Sequence, residues 1–287
     1  MAISSISLTM GMRKNLFNLL ETSDLMETTS RRLGTGNEVN DALDDPINYF
    51  AAQGHMQRAS DLAGRKDEMG EAVQLVNAAN NGIEAITTLI ESARSLANSA
   101  LSADTTSDVA ILGAQYNTIL SQIDTMAADS GYKGINLLGG TTESLTVRFD
   151  ETGVDSKLTL TGFNATSGQS GSGLGISEAL TGSGGAWTNN DAADIAMINS
   201  ALADLDEARS TLRAESKKLA SNLSTITARQ DFTQKMINTL TDGAAQLTLA
   251  DMNEEGANML MLQTRQALGT TSLSIASQAA QSVLRLF

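Results

Sequence analysis

The sequence predicts a mainly α fold: a long antiparallel coiled-coil helical rod formed by the N- and C-terminal halves, carrying a small β-hairpin and loop insertion. Three observations lead there. Leu62, Met69, Val76, Ile83, Ile90 and Ala97 recur every seven residues, and Arg65, Ala72, Ala79, Ile86, Ala93 and Ala100 follow three positions behind them. A stripe of that period keeps facing one partner only when two helices wind around each other. The mate lies near the other end, where Ile198, Leu205, Leu212, Leu219, Ile226, Thr233, Leu240 and Leu247 share the spacing, with Leu202, Leu223, Ile237 and Ala244 at the companion position. Composition is the third observation. Aromatic residues make up 3% of the chain and proline occurs once, while apolar residues reach 41%, which suits slender helix-on-helix packing rather than an aromatic core.

The elements follow in order. From Ser5 to Leu33, Met12, Leu19, Met26 and Leu33 are spaced by seven, with Leu16, Leu20 and Leu25 widening the stripe between Thr, Ser and Asn. Such a weakly amphipathic helix is marginal alone in water and needs a partner. Gly34-Thr35-Gly36 ends it, and 37–44 is an irregular link. Asp45 then suits an N-cap and Pro46 the first helical position, opening a helix that runs to Leu101. Asp41, Asp44 and Asp45 lack the alternating oxygen ligands and closing Glu of a calcium loop, so they read as caps. His55, the one histidine, reads as a surface or seam residue, since no second His and no Cys accompany it.

After a polar turn at Asp104 to Ser107, a shorter helix is expected from Val109 to Asp129 through Leu112, Tyr116, Ile119, Leu120, Ile123 and Met126. Gly131 to Gly185 then holds more than half of the 24 glycines, which ends long helices. Within it Leu145, Val147 and Phe149 alternate with polar residues, as do Leu158 and Leu160, predicting a β-hairpin. Ser167 to Gly175 has no Lys-Ser/Thr to follow and reads as a flexible surface loop rather than a phosphate cradle. Helix restarts at Asp191 and carries the second heptad run, where Arg209, Arg213, Lys217 and Lys218 are placed to pair with acids on the facing helix. Beyond Gly243 comes an acidic turn, Asp251 to Glu255. A final helix is expected from about Ala257 through Met259, Leu262, Leu268, Leu273, Ile275 and Val283 to Leu286 and Phe287.

The chain thus divides into terminal helices at 1–44 and 251–287, a helical rod at 45–140 and 191–250, and a Gly/Ser/Thr-rich surface insertion with its hairpin at 141–190. The rod seam is assigned to Leu62, Met69, Val76, Ile83, Ile86, Ile90, Leu205, Leu212, Leu219 and Ile226. A net charge of −14 without a basic cluster argues against a nucleic-acid partner. No apolar run approaches the roughly 20 residues of a membrane span, so no membrane insertion is expected. With no cysteine, a single histidine and no ligand spacing, neither a cofactor nor a metal nor a catalytic residue is expected. Met1 to Met12 lacks the charged segment, apolar core and cleavage site of a secretory signal, so export requires another machine.

Several blocks resemble bacterial flagellin. They are Ser7-Leu8 with Asn15-Leu16, Arg32-Leu33-Gly34-Thr35-Gly36, and Asn40-Asp41-Ala42-Leu43-Asp44-Asp45. Asn77 to Ile83 and Gly131-Tyr132-Lys133-Gly134-Ile135-Asn136-Leu137-Leu138 are similar to that family's helix pair and closing turn. Leu249 to Asn253, Gln263-Thr264, Ala267-Leu268-Gly269-Thr270 and Ser282-Val283-Leu284 resemble its C-terminal block. The likeness implies a structural subunit that self-polymerises into the flagellar filament for swimming, a secreted protein of the extracellular flagellum. It further implies export in unfolded form through the flagellar type III apparatus and terminal helices that fold on assembly. The implied partners are other copies of the chain in a helical homopolymer, the export apparatus and an export chaperone, and the hook–filament junction and cap proteins.

On this reading Met12, Leu16, Leu19, Met26, Leu33, Met259, Leu262, Leu268, Ile275 and Val283 form the polymer core interface. Flagellins recognised by an innate-immune receptor carry an R-x-R-E-L-A block; here Ala93-Arg94-Ser95-Leu96-Ala97 retains Arg94 and Leu96 as contact candidates, and the family's Glu on the facing helix is replaced near Gln115. The alternative is a hook–filament junction adaptor of the same superfamily, which Asp45-Pro46 resembles, whereas Arg32-Leu33-Gly34 and Gly269-Thr270 favour the filament protein. A protease insert, carried by some flagellins, needs histidines that residues 141–190 do not have.

Overall fold

A computed structural model of the chain describes residues 10–151, 156–168, 173–179, 187 and 191–284, with 283 and 284 described through their backbone only. Among them run α1 (Met10–Thr35), α2 (Pro46–Leu101), α3 (Thr106–Asp129), β1 (Ser144–Arg148), β2 (Lys157–Thr161), α4 (Ala192–Thr248) and α5 (Met252–Leu284). The expected helical residues 5–9, Leu286 and Phe287 lie outside the described residues. By contacts the chain divides into two compact units, Met1–Ala59 with Asn238–Phe287, and Ser60–Ile237.

In the unit spanning 60–237, α2 and α4 run antiparallel. Arg94 reaches Asp206 at 2.7 Å, Ser216 bonds Asn80 at 3.2 Å, and the Lys66 ammonium donates to Gln234 at 2.7 Å. Each step down one helix is thus a step up the other. Between these polar flanks the stripes close on one another: Leu62, Met69, Val76, Ile83, Ile86 and Ile90 on α2, and Leu205, Leu212, Leu219 and Ile226 on α4, are all buried. Alanines at 72, 79, 93, 97, 201 and 208 complete the layer. Arg65, the one charged residue in the stripe, stays at the edge and pairs with Glu68 at 2.7 Å. Two of the four basic residues expected to bridge pair within α4 instead. Arg209 and Lys218 form ion pairs three residues back on their own helix, with Asp206 and Glu215, because that distance is met without bending a long side chain across the seam.

The third helix lies against this pair, burying Val109, Tyr116, Leu120, Ile123 and Ala127 in the same core. It begins at Thr106, earlier than the apolar pattern indicates, because the Thr105 hydroxyl accepts the Asp108 N–H at 3.1 Å. Its C-terminus is closed by the Asn136 amide, which donates to the carbonyls of Ala127 and Ala128. The tight turn joined by Tyr132 and Ile135 brings Tyr132 and Lys133 onto Glu71 of α2, at 3.0 and 2.8 Å. The Lys133 ammonium, ahead of the Tyr132 hydroxyl, holds the Glu71 carboxyl below the usual range. Gly82 explains why α2 can come so close to this turn: a Cβ there would collide with the Ser130 hydroxyl and Leu138.

The hairpin pairs Leu145 with Leu160 and Val147 with Leu158, so all four apolar side chains share one face, against the core. The segment beyond it departs from expectation. Ser167 is not a free loop residue: both its N–H and its hydroxyl donate to Asp124, at 2.7 and 2.9 Å. Ser177 does the same to Asp204, while Asn117 exchanges two hydrogen bonds with the backbone of Ala179. These clamps seat Leu174, Ile176, Ala179 and Trp187 in the core, and Trp187 stacks on Tyr116 with centroids 5.0 Å apart. Glycine and serine mark irregular backbone here, and side chains on α3 and α4 hold it.

Candidate assembly surface

The unit formed by residues up to 59 and from 238 is built on α1 and α5, packed antiparallel. Asn15 donates to the Gly269 carbonyl at 3.3 Å, and Arg32 meets Glu255 at 2.9 Å near the other end. Glycine at 269 permits the approach, since a Cβ there would lie 2.7 Å from a methyl of Leu19. Where α1 ends, residues 36–39 zip onto 248–250: Glu38 N–H donates to Thr248 O at 2.7 Å and Ala250 N–H to Gly36 O at 3.0 Å.

The link after α1 is held by charge. Arg31 binds Asp41 at 3.2 Å and Asp44 at 2.7 Å. The Asn40 N–H, and further down the Arg31 guanidinium, keep the Asp44 carboxyl below the usual range. Asp45 accepts the N–H groups of Ile47 and Asn48 and so caps α2. The acidic trio thus orders a turn, and among the described residues no group of three His, Cys, Asp or Glu could hold a metal. Asp251 plays the same part for α5, accepting from Asn253 and Glu254. The acidic run expected as a turn is therefore the first turn of α5, which starts at Met252, where Glu254 and Glu255 suit the positive end of the helix dipole. Gly243, expected to precede a break, sits inside α4.

Pairing does not cover these helices. Met12 and Leu262 are buried, and Leu19, Met26, Leu33 and Met259 are half-buried between α1 and α5. Leu16, Leu268 and Ile275 face outward, Leu268 at 65% exposure; the Val283 side chain lies outside the described residues. Leu20, Leu25 and Leu260 are also exposed, together with Phe17 at 70%. A second uncovered group surrounds the start of α2, where Leu43 is 94% exposed and Ile47 and Phe50 stand beside it. Phe17, Leu43, Ile47 and Phe50 fall outside any heptad, so periodicity passes over them; clustered apolar residues that do not fit the local period were the available signal. Elsewhere, Arg94 is engaged with Asp206 and Leu96 packs against the core. No described helix is long and apolar enough to cross a membrane, so these faces are not spans.

Comparison with known proteins agrees with this layout. Residues 3–143 match the bacterial flagellin N-terminal helical region, and residues 195–287 match the bacterial flagellin C-terminal helical region. Among curated proteins, flagellin FljM of Caulobacter vibrioides is 28% identical over 289 residues, covering 100% of both chains. A flagellin of Brucella melitensis is 26% identical over 95% of each chain. A crystal structure of Bacillus cereus flagellin aligns with 58% of this chain and 88% of its own at 19% identity and a TM-score of 0.45. Matches at both ends and along the whole length mean that the chain belongs to the bacterial flagellins, the structural subunits of the flagellar filament.

Proposed function

We propose that this subunit polymerises by laying the uncovered faces of α1 and α5 against those of neighbouring copies, after export in unfolded form through the flagellar type III apparatus. One observation carries the reading: α1 and α5 are paired from Asn15 with Gly269 to Arg32 with Glu255, yet Leu16, Phe17, Leu20, Leu25, Leu260, Leu268 and Ile275 remain in solvent. Apolar patches of that extent mark interaction surfaces. Ordering a helical residue costs about 1–2 kcal/mol of backbone entropy, so two helices that bury only one side of themselves are weakly ordered alone and gain order when neighbours cover the rest. The export chaperone would shield these faces before assembly, and the junction and cap proteins would meet them at the two ends of the filament. Residues 62–90 and 205–226 serve as the seam that keeps each subunit rigid while its terminal helices engage.

Deletion of residues 252–287 tests this, read by electron microscopy of seeded polymerisation. The truncated protein is expected to stay soluble and add nothing to seeds. Filaments of normal length from it would overturn the reading. Intact protein that caps seeds without lengthening them would assign the chain to the hook–filament junction instead.

A further inference from the structure

The methionines are unevenly placed. In the unit spanning 60–237, Met69 is fully buried and Met126 packs against the core, with only Met197 well exposed. In the other unit Met10, Met56, Met252 and Met261 are all exposed, and Met26 and Met259 are half-buried. Two of these combine access with consequence. Met56, 52% exposed, lines an apolar groove of about 460 Å³ with Val39, Tyr49, Ala52, Ala244 and Leu249. Met261, 46% exposed, lines a cleft of about 290 Å³ between α1 and α5 with Leu25, Leu262, Arg32 and Arg265. Met10 and Met252 stand at helix starts and line neither.

A thioether is a flexible apolar group with no hydrogen-bond demand; its sulfoxide is polar, with an oxygen that requires a donor. We propose that Met56 and Met261 are oxidation sites through which hydrogen peroxide turns an assembly-competent subunit into an incompetent one. At each site the sulfur takes one oxygen atom from peroxide, the O–O bond breaks, sulfur is oxidised by two electrons and water leaves. At Met56 the product carries a dipole into the apolar groove, and at Met261 it sets a polar oxygen on the exposed side of α5 that a neighbouring copy covers on the assembly reading. The step is reversible by thiol-dependent sulfoxide reduction, so it acts as a switch. Burial decides when it is open: in the free subunit both sulfurs are reachable, and in the filament, on the assembly reading proposed above, Met261 is covered.

The test treats purified subunit with hydrogen peroxide at neutral pH, maps sulfoxides by peptide mass, and follows seeded elongation. Met56 and Met261 are expected to gain an oxygen well before Met12 and Met69, and oxidised subunit to lose at least about tenfold in elongation rate, a loss that sulfoxide reductase with a thiol reverses. A Met56→Leu/Met261→Leu protein keeps the apolar lining and is expected to elongate equally before and after peroxide, although Met10, Met197 and Met252 still oxidise. Wild-type subunit with both sulfoxides formed that elongates at the untreated rate would overturn the proposal, as would an equal loss in the double variant. Untreated subunit that adds to no seed would reject the assembly reading itself, while the peptide map still decides whether these sulfurs react first.

Discussion

The two units of this chain use the same apolar alphabet to different ends. In the unit spanning 60–237 the heptad stripes of α2 and α4 close on each other, and α3, the hairpin and the buried residues Leu174, Ile176, Ala179 and Trp187 cover what remains. In the unit holding α1 and α5, stripes of similar residues are only half closed: Met12 and Leu262 go inside, while Leu16, Leu268 and Ile275 do not. A period of seven therefore states that a helix needs company, and the number of layers around it decides whether that company is in the same chain. The unit holding α1 and α5 lacks the third layer. On the assembly reading proposed above, the closed unit is the rigid part and the open one is left for other copies.

Substitutions at equivalent positions sharpen the contrast, and the largest effect comes first. Ile86→Asp places an unpaired charge where the side chain is fully buried, which costs about 4 kcal/mol or more and is comparable with a domain's whole stability; thermal unfolding followed by circular dichroism is expected to lose the transition of residues 60–237. Leu268→Asp introduces the same charge on α5 and is expected to shift that transition by no more than about 0.5 kcal/mol while abolishing seeded elongation. Trp187→Ala removes the indole stacked on Tyr116 and is expected to cost about 3–5 kcal/mol in denaturant unfolding, which would be near zero if the segment around it were a free surface loop.

Smaller effects follow. Gly82→Ala forces the Ser130 hydroxyl and Leu138 aside, an overpacking cost of about 1–3 kcal/mol to be read as a lower unfolding midpoint. Tyr116→Phe is expected to cost about 1 kcal/mol at neutral pH through the lost hydrogen bond to the Ser177 carbonyl. Its effect changes with alkali. Burial, and then the charge of Asp204, raise the Tyr116 hydroxyl well above its ordinary value. The folded protein thus holds its proton while the unfolded chain, with a tyrosine near pH 10, gives it up. The contribution is complete below about pH 10 and is lost as pH rises beyond it, so the gap between wild type and Tyr116→Phe should narrow in unfolding measured above that pH.

Much of this fold is legible in the residues themselves. Seven-residue spacing marks both long helices, Asp45-Pro46 marks the start of α2, and alternation at Leu145, Val147, Leu158 and Leu160 marks the hairpin with its inward face. These are local signals, set by the period of the element they belong to. What escapes is long-range. Nothing near Ser167 indicates that Asp124, 43 positions away, will bind both its donors, and a single Trp187 among glycines gives no sign of the Tyr116 ring beneath it. The start of α5 is hidden for a different reason: Asp251 with Glu254 is a helix-capping arrangement, and an acidic cluster reads as a turn until its capping oxygen is counted. On the uncovered faces of α1 and α5, Leu16, Leu268 and Ile275 belong to the apolar stripes, whereas Phe17, Leu43, Ile47 and Phe50 fit no heptad and are signalled only by their clustering.

On the assembly reading, α1 and α5 complete their packing in the filament and not in the free subunit. Hydrogen–deuterium exchange of residues 10–35 and 252–284, measured in free subunit and in assembled filament, tests it most directly. Exchange in the free subunit is expected to be much faster there than in the buried stretches of α2 and α4, and to slow by orders of magnitude on assembly while residues 62–90 and 205–226 change little. Terminal helices as protected in the free subunit as in the filament would contradict it, because faces already satisfied within one chain have no need of neighbours.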